Sequence, residues 1–307
     1  MRDTVLFGDC RETLKTIDVK ARMCVTSPPY YGLRDYGGEE NQIGMEQSPE
    51  EFVQELVDVF SKVRDVLTDD GTLWLNIGDS YYNYRSDGNY PQQSVSKTRQ
   101  DLPQSTPVRG NKLKGYKSKD LIGIPWMLAF ALRADGWYLR QDIIWHKPNP
   151  MPESVKDRCT KSHEYIFLLS KSKQYFYDNE AIKEPVKQDW GTRDRTNGKY
   201  HNPGTGLQPH TGLTKSYTKK NKRSVWSVNK KPYKGAHFAT YPPELIRPCI
   251  LAGSERGDIV LDPFLGSGTT AMVAKDLGRS YIGCELNEDY ASLQSARIST
   301  IPNKLPL

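Results

Sequence analysis

The sequence has 307 residues, 36% of them hydrophobic, which predicts one large domain or a domain with a sizeable insertion and excludes a wholly disordered chain. Its five cysteines are scattered, with no CxxC pair and no Cys/His cluster of zinc spacing, so we expect no metal site and a reducing, cytoplasmic compartment. We find no signal peptide and no apolar run near the roughly 20 residues that span a bilayer, which excludes secreted and membrane classes.

The net charge of +6 is concentrated in two segments. Residues 80–119 hold eight lysines and arginines against two acids, and residues 187–235 hold twelve against two, so the rest of the chain is net acidic. Two solvated lysine-rich loops are one interpretation. Aromatic residues are interleaved with the charge, which favours the other interpretation, a polyanionic partner.

The first 80 residues alternate strands with a helix, in the manner of an α/β fold. Apolar runs predict strands at Thr4–Gly8 and Ala21–Thr26. The segment Pro49–Leu67 carries apolar residues at spacings of three and four, which predicts an amphipathic helix. Asp69-Asp70-Gly71 predicts a turn before a buried strand at Thr72–Ile77.

The two basic segments lack periodicity and are longer than ordinary loops, so we expect them to be functional. The alternation of strands and helices resumes after each of them. The predicted elements are a helix at Pro125–Asp135, strands at Tyr138–His146 and Glu164–Leu169, a helix at Pro243–Leu251, a strand at Asp258–Leu261, a helix ending at Leu277, a strand at Tyr281–Cys284 and a helix at Asp289–Ile298.

A strand, a glycine-rich turn and a helix follow one another around Asp262–Thr270, and Glu285 ends the next predicted strand. Glycines allow the backbone to bend sharply there and to approach a ligand. An acid at the end of the following strand is placed to accept hydrogen bonds from a ribose diol. The turn lacks the full GxGxxG pattern, and the chain has no GxxxxGK[ST]. A nucleoside-bearing cofactor without a pyrophosphate therefore fits best.

The second candidate motif is Ser27-Pro28-Pro29-Tyr30, at the end of an apolar strand. Two prolines stiffen the turn and remove two N–H donors, leaving carbonyl acceptors, a hydroxyl and an aromatic face. Such a site can accept hydrogen bonds from an amino group and stack on a planar ring. A rigid turn with a packed tyrosine is the alternative for this motif taken alone.

The two motifs together resemble those of the DNA amino-methyltransferases, which use S-adenosylmethionine to methylate the exocyclic nitrogen of adenine or cytosine. Ser27-Pro28-Pro29-Tyr30 resembles their catalytic motif and Asp262–Thr270 their cofactor loop. The motif order is similar to that of the permuted β group. The resemblance implies an α/β, Rossmann-like methyltransferase sheet with helices on both faces, a permuted motif order and an inserted basic target-recognition region.

The resemblance also implies roles for individual residues. The four motif residues would be catalytic, with Tyr30 stacking on a flipped-out base while the Ser27 hydroxyl and the Pro28 carbonyl accept hydrogen bonds from its amino group. Glu285 would hold the ribose hydroxyls, and Asp9 would face the adenine amino group of the cofactor. The other residues expected to bind the cofactor are Asp262, Phe264, Gly266, Ser267, Gly268, Thr269, Phe238 and Thr240.

The target-recognition region would lie in residues 187–235, with residues 80–119 as a second DNA-facing loop. Trp145 or His146 would help to hold the flipped base, unless His146 is purely structural. Basic residues there would neutralise phosphates or read base edges. The candidates for DNA binding are Arg193, Arg195, Lys219, Lys220, Lys222 and Arg223.

These expectations divide the chain into five parts and leave several alternatives open. The parts are residues 1–79 and 120–186 as catalytic α/β regions, 80–119 as a basic loop, 187–235 as the recognition region and 236–307 as the cofactor-binding half. Serine in the first motif position favours cytosine N4 over adenine N6. RNA, a protein glutamine, or DNA binding without catalysis are further alternatives. A homodimer and a separate restriction endonuclease also stay open as partners.

Overall fold

A computed structural model describes residues 1–32, 42–82, 113–186, 218–230 and 241–302. The chain divides into two compact units, a large unit of residues 1–177 and 224–307 and a small unit of residues 178–223. In the described part of the chain, no helix has the length and apolar character needed to cross a membrane.

The elements alternate along the chain as an α/β pattern. They are β1 (Thr4–Phe7), α1 (Cys10–Thr13), β2 (Ala21–Thr26), α2 (Pro49–Val66), β3 (Leu67–Ile77), α3 (Ile124–Ala134), β4 (Tyr138–His146), β5 (His163–Ser170), β6 (Glu184–Pro185), β7 (Lys219–Lys220), β8 (Val225–Ser227), α4 (Pro243–Gly253), β9 (Ile259–Asp262), α5 (Thr269–Asp276), β10 (Ser280–Glu285) and α6 (Ala291–Ser299). Short 3₁₀ turns precede β2 and α6.

Eight strands of the large unit form one sheet in the order β1-β10-β9-β2-β3-β5-β4-β8. The first five are mutually parallel, β5 is antiparallel to both β3 and β4, and β8 is parallel to β4. The carboxyl ends of β2, β3, β4 and β9 therefore lie at one edge, where the amino end of β5 also lies. In the small unit, β6 and β7 pair antiparallel.

Helices cover both faces of this sheet, as alternating side chains of neighbouring strands show. Cys24, Leu73 and Leu75 are buried in one cluster with the apolar face of α2. Met23 and Trp74 point the other way, since a Cβ added at Gly253 of α4 would lie 2.9 Å from an atom of each. The predicted Rossmann-like α/β class with helices on both faces is confirmed.

The helix starts are fixed by side chains that the local sequence supplies. Ser48 caps α2 by accepting a hydrogen bond of 3.2 Å from the backbone N–H of Glu51, and Pro49 occupies the first turn. Asp79, just after β3, accepts hydrogen bonds from the N–H groups of Gly123 and Ile124 at the start of α3. Asp79 thus ties α3 to the carboxyl edge of the sheet.

The structure contains the predicted elements and differs from the prediction in three respects. The helix α1 and the strands β6 and β7 were not predicted, because they are only four, two and two residues long. The predicted turn at residues 69–71 is part of β3, which begins at Leu67. The pairing of β3 with β2 shifts register between Ala21 and Met23, and the extra residues of β3 form an irregularity within the strand. The strand β8 lies within residues 187–235, where no element was predicted. Only Trp226 of its three residues is buried, too short a signal for a period of two.

Candidate functional site

The two sequence motifs meet at the carboxyl edge of the sheet. Thr26 ends β2 immediately before Ser27, and Asp262 ends β9 immediately before the glycine turn. The Thr26 hydroxyl donates a hydrogen bond of 2.6 Å to Oδ1 of Asp262. Because these two residues are the last of adjacent parallel strands, the predicted catalytic motif and the predicted cofactor loop leave the sheet side by side.

Asp262 is the central acceptor of this junction. It is 1% exposed, and it accepts hydrogen bonds from the hydroxyls of Thr26, Thr270 and Tyr241 and from the N–H of Phe264. Burial raises the pKa of its carboxyl, while these donors oppose the rise. Because both of its oxygens accept hydrogen bonds from the protein, Asp262 links the segments that meet at the carboxyl edge of the sheet. Its expected place in the cofactor pocket stays a prediction.

The glycine turn adopts the conformation that only glycine enters readily. Gly266 and Gly268 have φ values of 53° and 81°, and Gly268 caps α5. The carbonyl of Gly266 accepts a hydrogen bond of 2.6 Å from the Gln294 side chain, and the Ser267 hydroxyl accepts one of 2.6 Å from Arg297. The helix α6 therefore holds the turn from behind.

Two polar groups beside this turn keep bonding capacity. The hydroxyl of Thr269 is buried and has no hydrogen-bond partner among the residues that the structure describes. Glu285 accepts hydrogen bonds from the N–H groups of Gly266, at 2.7 Å, and Asn287, at 3.0 Å, one on each carboxylate oxygen. Each of these oxygens has a second lone pair. Burial raises the pKa of Glu285, and the two backbone donors oppose that rise.

Asp9 follows β1 and caps α1 by accepting a hydrogen bond of 2.8 Å from the N–H of Arg11. The Arg11 guanidinium also contacts both Asp9 oxygens and reaches Glu55 at 2.6 Å. Burial acts to raise the pKa of Asp9, but the hydrogen bonds and charge of Arg11 hold it below the usual value. The carboxylate is thus ionised and already paired, and its expected contact with a cofactor amino group stays a prediction.

In the predicted catalytic motif, Pro28 is buried, while Ser27, Pro29 and Tyr30 are half-buried. The Tyr30 hydroxyl donates a hydrogen bond of 2.8 Å to Oε2 of Glu164, at the start of β5. The other oxygen of Glu164 pairs with the ammonium of Lys147. Sequence reasoning missed Glu164, because a single acid at the start of a strand has no local signature.

Trp145 and His146, expected near the target base, each contact a residue in or just after β8. The Trp145 indole N–H donates to the carbonyl of Val228 at 2.8 Å. His146 Nδ1 lies 3.0 Å from the hydroxyl of Ser227. The neighbouring Lys147 is 5% exposed and its ammonium lies 4.2 Å from the centre of the Trp145 ring. Of these three, Lys147 is the residue that the structure connects to Tyr30.

The small unit holds the described candidates for DNA binding. Glu184 pairs with Arg223 at 2.6 Å and with Lys220 at 3.5 Å. Burial acts to raise the pKa of Glu184, but these two contacts hold it below its usual value. Lys219 is exposed and Lys222 half-buried. Four predicted site residues lie outside the described residues: Arg193, Arg195, Phe238 and Thr240.

Comparison with known proteins identifies relatives over nearly the whole chain. The family model N6_N4_Mtase, described as DNA methylase, matches residues 21–296. The Type II methyltransferase M.XycI of Xanthomonas campestris pv. cyanopsidis is 49% identical over 97% of this chain and 88% of its own length.

Solved structures share the fold at low sequence identity. The cytosine-N4-specific PvuII DNA methyltransferase has a TM-score of 0.63 at 17% identity, covering 100% of this chain and 89% of that one. The M1.HpyAVI–SAM complex has a TM-score of 0.54 at 17% identity, covering 96% of this chain and 98% of that one.

Proposed function

Because this chain belongs to the N6/N4 DNA methylase family, we propose that it transfers a methyl group from S-adenosylmethionine to the exocyclic N4 of a flipped-out cytosine at a specific site in duplex DNA. The observation that carries the proposal is the hydrogen bond between Thr26 and Asp262, which holds the Ser27–Tyr30 motif beside the glycine turn. A planar amino-bearing substrate and a nucleoside-bearing donor can therefore meet at one edge of the sheet.

The chemistry of the donors and acceptors at the turn fits S-adenosylmethionine. The buried Thr269 hydroxyl, which has no partner among the described residues, offers a donor beside the glycines, and the carboxylate oxygens of Glu285 can accept hydrogen bonds from ribose hydroxyls. S-adenosylmethionine would supply an electrophilic methyl group. Besides these two, the residues we propose to bind it are Asp9, Asp262, Phe264, Gly266, Ser267, Gly268, Phe238 and Thr240.

The residues of the catalytic motif would position the target base. A base has to leave the duplex before its amino group is accessible, and Tyr30 would stack on it outside the helix. The Ser27 hydroxyl and the Pro28 carbonyl would accept hydrogen bonds from the amino N–H groups, which aims the nitrogen lone pair. A serine hydroxyl is not ionised near neutral pH, so the amino proton would pass to water. Orientation can supply about 7–11 kcal/mol of the barrier lowering.

Ser27 supports cytosine N4 as the acceptor, since serine in this motif position is more typical of cytosine than of adenine enzymes. Adenine N6 is the alternative, because the same acceptors suit the amino group of either base. The basic residues Lys219, Lys220, Lys222, Arg223, Arg193 and Arg195 are proposed to bind DNA.

Methylation of a genome that carries no modification tests the proposal. We would incubate that DNA with the protein and labelled S-adenosylmethionine, then identify the modified base and its sequence context. N4-methylcytosine in one context is the expected result, and that context would also be the site of a partner restriction endonuclease. N6-methyladenine would overturn the choice of base, and no transfer to any DNA despite cofactor binding would overturn the activity.

A further inference from the structure

We propose that Glu164 and Lys147 are positioning residues that fix the plane of the Tyr30 ring, and thereby the place of the target base. The inference rests on the proposed function, in which Tyr30 stacks on that base. Neither residue needs to touch the substrate for this role. Each would act through Tyr30.

The contacts form a chain of three residues from different elements. Tyr30 follows β2 and donates its hydroxyl to Oε2 of Glu164 at 2.8 Å. Oε1 of Glu164 pairs with Lys147, which follows β4. The side chains of Lys147 and Glu164 are only 6% and 15% exposed, so solvent screens the pair little. One carboxylate thus bridges a phenol and an ammonium.

Lys147, at the far end of this series of contacts, is held by its backbone and by Trp145. The backbone N–H of Lys147 donates to the carbonyl of Ser162 at 2.7 Å, beside the start of β5. Its ammonium lies over the ring of Trp145, whose indole N–H is bonded to Val228 beyond β8. Burial lowers the pKa of Lys147, and the charge of Glu164 opposes that fall. Glu164 therefore meets the end of the Lys147 side chain at a fixed point.

Gly78 lies against the hydroxyl end of the Tyr30 ring, next to Glu164. A Cβ built on Gly78 would lie 2.7 Å from Cε2 of Tyr30 and 3.3 Å from Cγ of Glu164. The ring lies against backbone with no room for a methyl group. The contact with Gly78 and the hydrogen bond to Glu164 both restrict how the Tyr30 ring can turn.

A buried ion pair contributes little net stability compared with apolar side chains of equal volume. Stacking by itself would not require a hydroxyl on the ring, since phenylalanine presents the same apolar face. The hydroxyl, the carboxylate and the ammonium together orient the Tyr30 ring rather than strengthen its stacking on the base. This combination indicates that their role is to orient Tyr30.

A double-mutant cycle between Tyr30→Phe and Glu164→Ala tests the inference. We would measure kcat, KM for DNA, the Kd for S-adenosylmethionine and the fluorescence of a duplex with 2-aminopurine at the target position. Each single change should lower kcat about 10-fold to 100-fold, the loss that a small misplacement produces. The double variant should lose no more than the worse single variant, with the cofactor Kd within about twofold.

The fluorescence distinguishes orientation from general weakening of the fold. A flipped 2-aminopurine is quenched when it stacks on Tyr30, so both single variants should show brighter complexes than the unchanged protein. Glu164→Gln keeps an acceptor for the hydroxyl and should restore part of kcat. Lys147→Met should act in the same direction as Glu164→Ala. Asp276→Asn, which breaks the Arg247–Asp276 pair, is the matched control and should leave kcat unchanged.

Two outcomes would overturn the role of Glu164 and Lys147. In one, the fold-loss of kcat in the double variant equals the product of the two single losses. In the other, the variants have lower thermal stability but unchanged kcat and fluorescence. Those outcomes leave the proposed function intact if the unchanged protein still methylates DNA. An unchanged protein that methylates no DNA would instead overturn the proposed function itself. The two failures are therefore distinguishable in one set of measurements.

Discussion

The hydroxyl of Thr26 lies 2.6 Å from Oδ1 of Asp262, and this contact links the end of the strand before the predicted catalytic motif to the end of the neighbouring strand before the glycine turn. Both residues are essentially buried. The contact couples two segments that are separated by more than two hundred residues of sequence. It makes the geometry of one motif depend on that of the other.

Thr26→Val should therefore lower both stability and activity. Valine has nearly the same shape but removes one donor from a buried carboxylate, at a cost of about 1–3 kcal/mol. Urea denaturation measures the loss, and a methylation assay should show a reduced kcat. Thr4→Val in β1 is the control, since its hydroxyl bonds only to the nearby carbonyl of Arg2 at an exposed site. Equal stability of the two variants would contradict the role of Thr26.

Gly78→Ala should abolish most methyl transfer without weakening cofactor binding. The added methyl group would occupy space 2.7 Å from the Tyr30 ring and force the ring to move. Single-turnover transfer and the cofactor Kd measure the two effects. In a Tyr30→Ala background the same change should cost little more, because the ring is gone. A further large loss in that background would show that Gly78 acts elsewhere.

Gln294→Leu should weaken binding of S-adenosylmethionine. The change removes the donor to the Gly266 carbonyl and loosens the turn from behind, a loss of about 0.5–1.5 kcal/mol or about twofold to tenfold in Kd. Isothermal titration calorimetry measures the Kd. Ser299→Ala on the same helix removes only a local bond to the carbonyl of Ala296 and should leave the Kd unchanged.

Lys219→Gln and Glu184→Gln should change DNA affinity in opposite directions. Lys219 is exposed, and loss of one phosphate contact should reduce the slope of log K against log salt by about 0.9. If Arg223 and Lys220 bind phosphate, as we propose, Glu184 competes for them, and its neutralisation should tighten DNA binding. A salt series with a fixed duplex measures both. Lys15→Gln on the large unit, paired with Glu12, serves as the control and should leave the slope unchanged.

The sequence predicted the sheet well because its strands are continuous apolar runs and its helices carry a clear period. The strand Ala21–Thr26 was predicted to the residue, and α2 to within one. The two motifs were likewise readable, since glycine and proline mark them locally. Their proximity is a finding of the structure, in which they follow adjacent parallel strands.

Long-range partners were not readable in the same way. Tyr241 and Glu164 bond to Asp262 and Tyr30 across the fold, and no spacing along the chain announces either contact. The pairing of Asp9 with Arg11 was equally hidden, because the two-residue spacing is compatible with many geometries. Tertiary contacts decide how these side chains are used, and local patterns do not encode them.

The residues that flank the segment 178–223 are both held within the large unit. Just before the segment, Tyr177 stacks on Trp74, with ring centres 6.2 Å apart. Just after it, the carbonyl of Ser224 accepts a hydrogen bond of 2.8 Å from Ile144, and β8 begins. Each end of the segment is thus held to the large unit by its own contact. If this segment recognises DNA, as we propose, its sequence could change and alter the DNA target while both of its attachments to the large unit stay in place.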